Sequence, residues 1–203
     1  MSIHYTNIQR YLNLPASQYR SLSGRSFSFI KSEVGGVLPK FEPTKAMNMG
    51  SMVHDILSGH YRGSVNIPEF HQARSFAYSI KQTYFSSGWE LLQFETSYTA
   101  QMSYKGLVMD TMGRTDAELI GRFVLDFKIT GATTDAAFAA LITHMRYDDQ
   151  IWHYGNLAQV PARYILPYST KRKCCLGLVA IPAAPHSRFW EDAIIKFGTI
   201  KTT

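Results

Sequence analysis

"GRTDAELIGRFVLDFKIT", residues 113–130, is the stretch on which the fold reading turns. Its second half, Phe123 to Ile129, has the apolar content and alternation of a β-strand, yet Asp126 and Lys128 stand two positions apart within it. Side chains alternate along a strand. Val124, Asp126, Lys128 and Thr130 therefore share one face, and Phe123, Leu125, Phe127 and Ile129 the other. "ELIGRF" upstream reads as a tight turn joining this strand to the one that carries Asp116. A two-residue loop at Ile120-Gly121 sets Asp116 opposite Leu125; a three-residue loop at 120–122 sets it opposite Asp126. In either register two carboxylates approach at the centre of a hairpin, with Cβ atoms roughly 5–8 Å apart.

Two close carboxylates repel, so one stays protonated or a cation sits between them. Oxygen ligands of this kind suit Mg²⁺ or Mn²⁺. A lysine alongside can orient a metal-bound water or stabilise charge on a phosphoryl oxygen. The plainer alternative is a solvent-facing Asp126–Lys128 pair on a half-exposed strand.

Working outward, residues 5–20 and 24–32 read as short helices or turns, with Pro15 and Gly24 as breakers, and 33–45 as a loop. "AMNMGSMVHDILSG" has helical spacing, with Met47, Val53, Ile56 and Leu57 on one face, and 75–88 reads as a second helix ending at Gly88. "LLQFETSYTA" and "GLVMDTMGRTDAELI" read as strands preceding the third, "GRFVLDFKIT". Helices follow in "TTDAAFAALITHM", capped by Thr133 or Thr134, and in "YDDQIWHYGNLAQ". "ARYILPYS" and "CLGLVAIP" resemble strands, and "SRFWEDAIIKFG" a closing helix. This order predicts an α/β domain whose mixed central sheet is flanked by helices.

The chain has 203 residues, enough for one domain with a sizeable core. Its +6 formal charge is unevenly spread. Residues 1–45 hold six Lys/Arg against two acids, residues from Arg163 onward seven against two, and the middle eight against eleven. Basic flanks around an acidic centre suit a protein that grips a polyanion beside divalent cations, although a solvated basic surface gives the same count. Cys174 and Cys175 are adjacent and suit neither a disulfide framework nor an iron–sulfur cluster, so a reducing cytoplasm is expected. "MSIHYTNIQRYLNL" lacks the order of a secretory signal, and no run is long and apolar enough to span a membrane.

The hairpin resembles the Gly-x-x-Asp…Asp-x-Lys core of the PD-(D/E)XK nuclease superfamily, through Gly113, Asp116, Asp126 and Lys128. It is most similar to the branch of RecB-type nuclease domains and lambda-type phage exonucleases. "MGSMVHDIL" matches that branch's Gly-x-x-x-His helix through Gly50 and His54. "FETSYT" supplies Glu95 on the strand before the hairpin, and "YDDQIWHYG" matches Gln-x-x-x-Tyr through Gln150 and Tyr154. The resemblance spans about residues 47–155. Asp126 stands where many members have glutamate, and the cysteines of iron–sulfur members and all helicase motifs are missing.

The resemblance implies a restriction-endonuclease-like α/β fold in a single domain over 1–203. Residues 1–45 would form a helical, DNA-end-binding region, 47–155 carry the catalytic motifs, and 160–203 supply C-terminal strands and a helix. It implies a Mg²⁺- or Mn²⁺-dependent deoxyribonuclease holding one or two ions. Asp116, Asp126, His54 and the Phe127 carbonyl would hold the first ion and Glu95 a second. Lys128 would act on the attacking water, and Gln150 with Tyr154 on the scissile phosphate or the lysine. Arg25 and Ser26 would grip a terminal 5′-phosphate. Each has a bland counterpart: a helix histidine bonded to a carbonyl, an exposed strand glutamate, a half-buried amphipathic helix, a surface helix start. His60, His71, His144 and His153 are expected at the surface or in packing.

The size without a motor favours an exonuclease on linear duplex DNA ends in phage-type recombination or repair. Family analogy adds a ring of three or four subunits, a single-strand annealing partner, and the cytoplasm of a bacterial or phage-infected cell. A structure-directed endonuclease with the same metal site and a non-catalytic DNA-binding subunit are the competing readings.

Overall fold

A computed structural model describes residues 2–34, 45–85, 87–183 and 188–200. Its elements in chain order are β1 (His4–Tyr11), α1 (Ala16–Tyr19), β2 (Arg25–Ser26), α2 (Phe27–Val34), α3 (Lys45–Leu57) and α4 (Pro68–Tyr84). A 3₁₀ turn (Trp89–Leu91) leads into β3 (Gln93–Phe94), β4 (Ser97–Tyr104), β5 (Leu107–Arg114), β6 (Ala117–Leu119) and β7 (Phe123–Thr130). Then come α5 (Asp135–His144), α6 (Tyr147–Leu157), β8 (Ala162–Ser169), β9 (Cys174–Cys175), β10 (Val179–Ala180), α7 (Phe189–Phe197) and β11 (Thr199–Ile200).

The architecture is mixed α/β, with two mixed sheets and flanking helices. One sheet runs β1-β4-β5-β11 with β2 beside β5; the other runs β10-β8-β7-β6-β3 with β9 beside β8. β7 lies inside the second sheet, antiparallel to β6 and parallel to β8. Helices cover both faces of such a strand, so it must bury residues on both sides. Leu125 and Phe127 pack against Val53 and Leu57 of α3 and Phe76, Ala77 and Ile80 of α4. Val124 faces the other way, among Phe138 and Ile142 of α5 and Ile151 and Leu157 of α6. Burying Leu125 and Phe127 contributes about 1.5–3 kcal/mol each. A solvent-facing Asp126–Lys128 pair has no place here, because Asp126 is 1% exposed.

A third cluster gathers Phe189, Trp190, Ala193 and Ile194 of α7 with Phe27 and Ile30 of α2 beneath the first sheet. The His153 ring lies 4.3 Å from Trp190, and its Nδ1 is 2.8 Å from the Tyr5 hydroxyl. Burial drives its pKa down to about 3, so it is neutral and serves packing, as expected.

Several expectations change. The region 1–45 is not purely helical, because His4–Tyr11 is a strand along β4. Its register shifts between Thr6 and Gln9, with Asn7 at φ 53°, which interrupts the two-residue period by which a strand is recognised. The strand expected over 106–120 is broken at Thr115–Asp116: β5 belongs to one sheet and β6 to the other, so a single central sheet becomes two. Finally, α4 starts at Pro68, where the missing amide of proline costs nothing in a first helical turn. In α3 it is Met49, not Met47, that enters the core. The loop expected over 33–45 lies largely outside the described residues. Thr134 caps α5, accepting the Ala137 amide at 3.1 Å. No helix among the described residues is long and apolar enough to cross a membrane.

Candidate active site

The turn between β6 and β7 has three residues, 120–122, closing with Leu119 paired to Phe123 and Ala117 to Leu125. Gly121 takes φ 70°, a left-handed geometry that glycine adopts without strain, and the Arg122 amide donates to the Leu119 carbonyl at 2.9 Å. The three-residue loop is the second of the two that the sequence allowed, and Asp116 itself stands on the bend just outside the ladder, one residue before Ala117. Asp116 Oδ2 accepts the Phe127 amide at 2.8 Å.

Charge is matched locally. Lys128 Nζ lies 2.5 Å from Asp126 Oδ2, donates to Gln150 Oε1 at 3.1 Å, and sits 4.7 Å over the Tyr147 ring. Gln150 Nε2 donates to the Tyr154 hydroxyl at 2.9 Å, which fixes the amide with its oxygen toward the lysine. From α3, His54 Nε2 is 3.0 Å from the Phe127 carbonyl oxygen and Nδ1 is 3.4 Å from Asp116 Oδ1. β7 and α6 thus bring Asp126, Lys128, Gln150 and Tyr154 into one chain of contacts, and α3 adds His54 to Asp116.

Burial pushes the Asp126 carboxyl up to about 6, with the Lys128 ammonium opposing and the Asp116 charge reinforcing it. Desolvation raises half-buried Asp116 too, but the charge and bond of His54 outweigh this and hold it below the usual range. Burial lowers His54, yet Asp116 overrides and its pKa rises to about 9. Lys128, likewise desolvated, is held charged by Asp126 and Asp116. At neutral pH two anions therefore face an imidazolium and an ammonium.

Among the described residues no three His, Cys, Asp or Glu side chains form a ready-made cation cage. The donor chemistry nonetheless fits a divalent ion. Asp126 Oδ1 is buried without a hydrogen-bond partner, and its neighbour Oδ2 meets Lys128 as an ion pair outside hydrogen-bond geometry. A buried carboxylate oxygen left bare is costly, and a hard cation compensates it. Asp116, Asp126 and the Phe127 carbonyl offer the few oxygens that Mg²⁺ takes while keeping several waters. His54 could add a nitrogen once it has lost its proton.

Other expected residues fare differently. Glu95 is not on a strand but on the bend between β3 and β4, at φ 51°, where the chain passes from one sheet to the other. Its carboxylate lies 3.3 Å from Arg114 Nη1, an ion pair, and 3.6 Å from His60 Nδ1. Its amide donates to the Asp116 carbonyl at 3.1 Å. Arg25 stacks 5.0 Å over the Phe197 ring, and Ser26 Oγ accepts the Phe29 amide at 3.3 Å. These two contact α7 and the start of α2, as a surface helix start does.

Two residues escaped the sequence reading. Tyr147 shares a face of α6 with Gln150 and Tyr154, a spacing that was available to find it. Lys31 of α2 donates to the Met145 carbonyl at 2.8 Å; burial lowers its pKa, and the charges of Lys128 and Arg146 lower it further. Nothing in the local sequence signals that approach.

No protein-family model matches the chain. No curated protein matches it. Among solved structures, a "Putative exonuclease" from Eubacterium rectale aligns with TM-score 0.61 at 13% identity, covering 92% of this chain and 83% of that one. The structure of SSO0001 aligns with TM-score 0.39 at 16% identity over 73% of this chain and 84% of its own. The first shares the fold; the second supports no further statement.

Proposed function

We propose that the chain is a divalent-metal-dependent deoxyribonuclease of the PD-(D/E)XK type, cutting linear duplex DNA from its ends. The observation that carries this reading is Asp116 and Asp126 at the mouth of the β6–β7 hairpin beside Lys128, with Asp116 Oδ2 accepting the Phe127 amide and Asp126 Oδ1 left bare. The designation of the Eubacterium rectale structure points the same way, although likeness at 13% identity supports only the scaffold.

Asp116, Asp126 and the Phe127 carbonyl would hold one ion, with deprotonated His54 beside them. Held by these residues, Mg²⁺ would supply Lewis acidity toward the phosphate and the attacking water. The protein's own groups do the rest. Lys128 stands beside Asp126 to orient the attacking water and hold the charge that develops as it loses a proton. Gln150 keeps the ammonium in place, and Tyr154 fixes the Gln150 amide. Lys31 and Arg146 bring positive charge toward the same point, where a phosphate between them would relieve their mutual repulsion. Hydrolysis adds water across the phosphodiester, leaving a 5′-phosphate and a 3′-hydroxyl. Glu95 pairs with the Arg114 guanidinium and lies beside His60, so this reading places one ion, at Asp116 and Asp126.

The test uses end-labelled linear duplex and covalently closed circular DNA with Mg²⁺, Mn²⁺ or EDTA. Cleavage of the linear form only, lost with EDTA and in Lys128→Ala, is expected. Digestion of the circle assigns an endonuclease instead. Degradation by Lys128→Ala at the wild-type rate removes the lysine from the mechanism.

A further inference from the structure

A groove of about 460 Å³ opens between the end of α3, the outer face of α4 and the 3₁₀ turn at Trp89. It does not contain the carboxylates. Its wall is a stripe on α4: Arg74, Tyr78 and Lys81 follow at i, i+4 and i+7 with Ala77 beside them, while Ala73, Phe76 and Ile80 turn into the core. Tyr78 is 64% exposed, a large aromatic ring left in water. Its floor is half-buried Trp89, whose ring packs 4.9 Å from Phe94 and 6.4 Å from Phe127. Lys81 Nζ sits 5.5 Å over the Trp89 ring. Glu90 is the acid on its rim.

The groove is joined to the carboxylates through the chain. Phe94, on its edge, precedes Glu95, whose amide holds the Asp116 carbonyl.

We propose that this groove binds a segment of single-stranded DNA, with bases stacked on Trp89 and Tyr78 and phosphates paired to Arg74 and Lys81. Aromatic faces interleaved with cations are what an unpaired strand needs: every base offers a π-face, and each nucleotide a phosphate. A duplex hides its base faces and gains only from the cations. A base settling on Trp89 replaces the Lys81 ammonium there and frees it for the phosphate. The proposal rests on the nuclease reading only for the origin of the strand, since end digestion of a duplex leaves one unpaired.

Trp152 and Trp190 are 5% and 0% exposed, so Trp89 is the tryptophan placed to report binding. The full-length protein is titrated in EDTA with a thymidine oligonucleotide about twelve nucleotides long. Quenching of tryptophan fluorescence is expected, retained in Lys128→Ala and abolished as a signal in Trp89→Phe. The Arg74→Ala/Lys81→Ala double variant should bind about tenfold or more weaker, and its log affinity should depend on log salt with a slope shallower by about 1.4. Tyr78→Ala should weaken binding without moving that slope. Wild-type affinity in the double variant overturns the proposal, as does equal competition by polyglutamate, which would mark an acidic-peptide surface. If the wild type cuts no DNA yet these binding differences appear, the groove stands and the nuclease reading falls. If cutting is normal and the double variant binds normally, the reverse holds.

Discussion

The ring of Tyr154 packs against the bare backbone of Gly113: a Cβ there would meet the ring at 3.1 Å and the Leu157 Cδ1 at 2.6 Å. Gly113 thus admits α6 onto the end of β5, and with it the phenol that steadies Gln150. The glycine of the Gly-x-x-Asp stretch has a steric task at this point. Gly50 has none, since a Cβ on it meets Ile129 only at an ordinary 3.9 Å.

Gly113→Ala should therefore cost about 1–3 kcal/mol through overpacking, read as a lowered thermal midpoint, whereas Gly50→Ala should be nearly neutral. Cleavage by Gly113→Ala should fall more than its stability loss accounts for, because Tyr154 is pushed from Gln150. Equal stability in both variants contradicts the packing.

Replacing Lys128 with methionine leaves Asp126 buried without its cation. Cleavage should drop about 10²-fold or more. Stability should suffer chiefly above pH 6, because below it Asp126 can take a proton and lose its need for a partner. A penalty independent of pH would mean that Asp126 is solvated, against the burial observed.

In the metal-free protein, stability should decline with rising pH in two windows. Asp126 has its pKa raised from 3.8 to about 6, so between these values the folded state binds more protons than the unfolded one and loses ground as pH rises. His54, raised from 6.5 to about 9, contributes stability that is complete below 6.5 and lost as pH climbs through 9. Thermal midpoints across pH 4–10 check both. His54→Asn should flatten the upper window.

Metal binding must displace the proton of His54 if that residue is a ligand. Mn²⁺ should then bind more tightly as pH rises from 7 to 9, with proton release detectable in weakly buffered calorimetry. His54→Asn should weaken Mn²⁺ binding and abolish that release. Unchanged affinity in the variant leaves Asp116, Asp126 and the Phe127 carbonyl as the whole set.

Much of the site was legible because it is local. The alternation in Phe123–Ile129 and the i, i+4 spacing of Gln150 and Tyr154 are short-range patterns, and the structure brings both to Lys128. What the chain did not announce depends on distant segments. The bends at Glu95–Thr96 and Thr115–Asp116 form where two sheets meet, and their ladder survives through the Thr115 amide bonded to the Thr96 carbonyl at 2.9 Å. β1 hid behind its own irregularity. Glu95 read as an available acid because Arg114 and His60 come from β5 and the segment after α3. Lys31 reaches Met145 across the fold.

The turn at 120–122 also sets a boundary on how such a chain can drift. Because strand faces alternate, losing one residue from that tip moves Asp116 toward Leu125, trading two neighbouring carboxylates for an acid against an aliphatic chain. Deletions elsewhere on the surface are absorbed by slack; here the hairpin counts its residues, and a miscount leaves a protein that folds around nothing it can use.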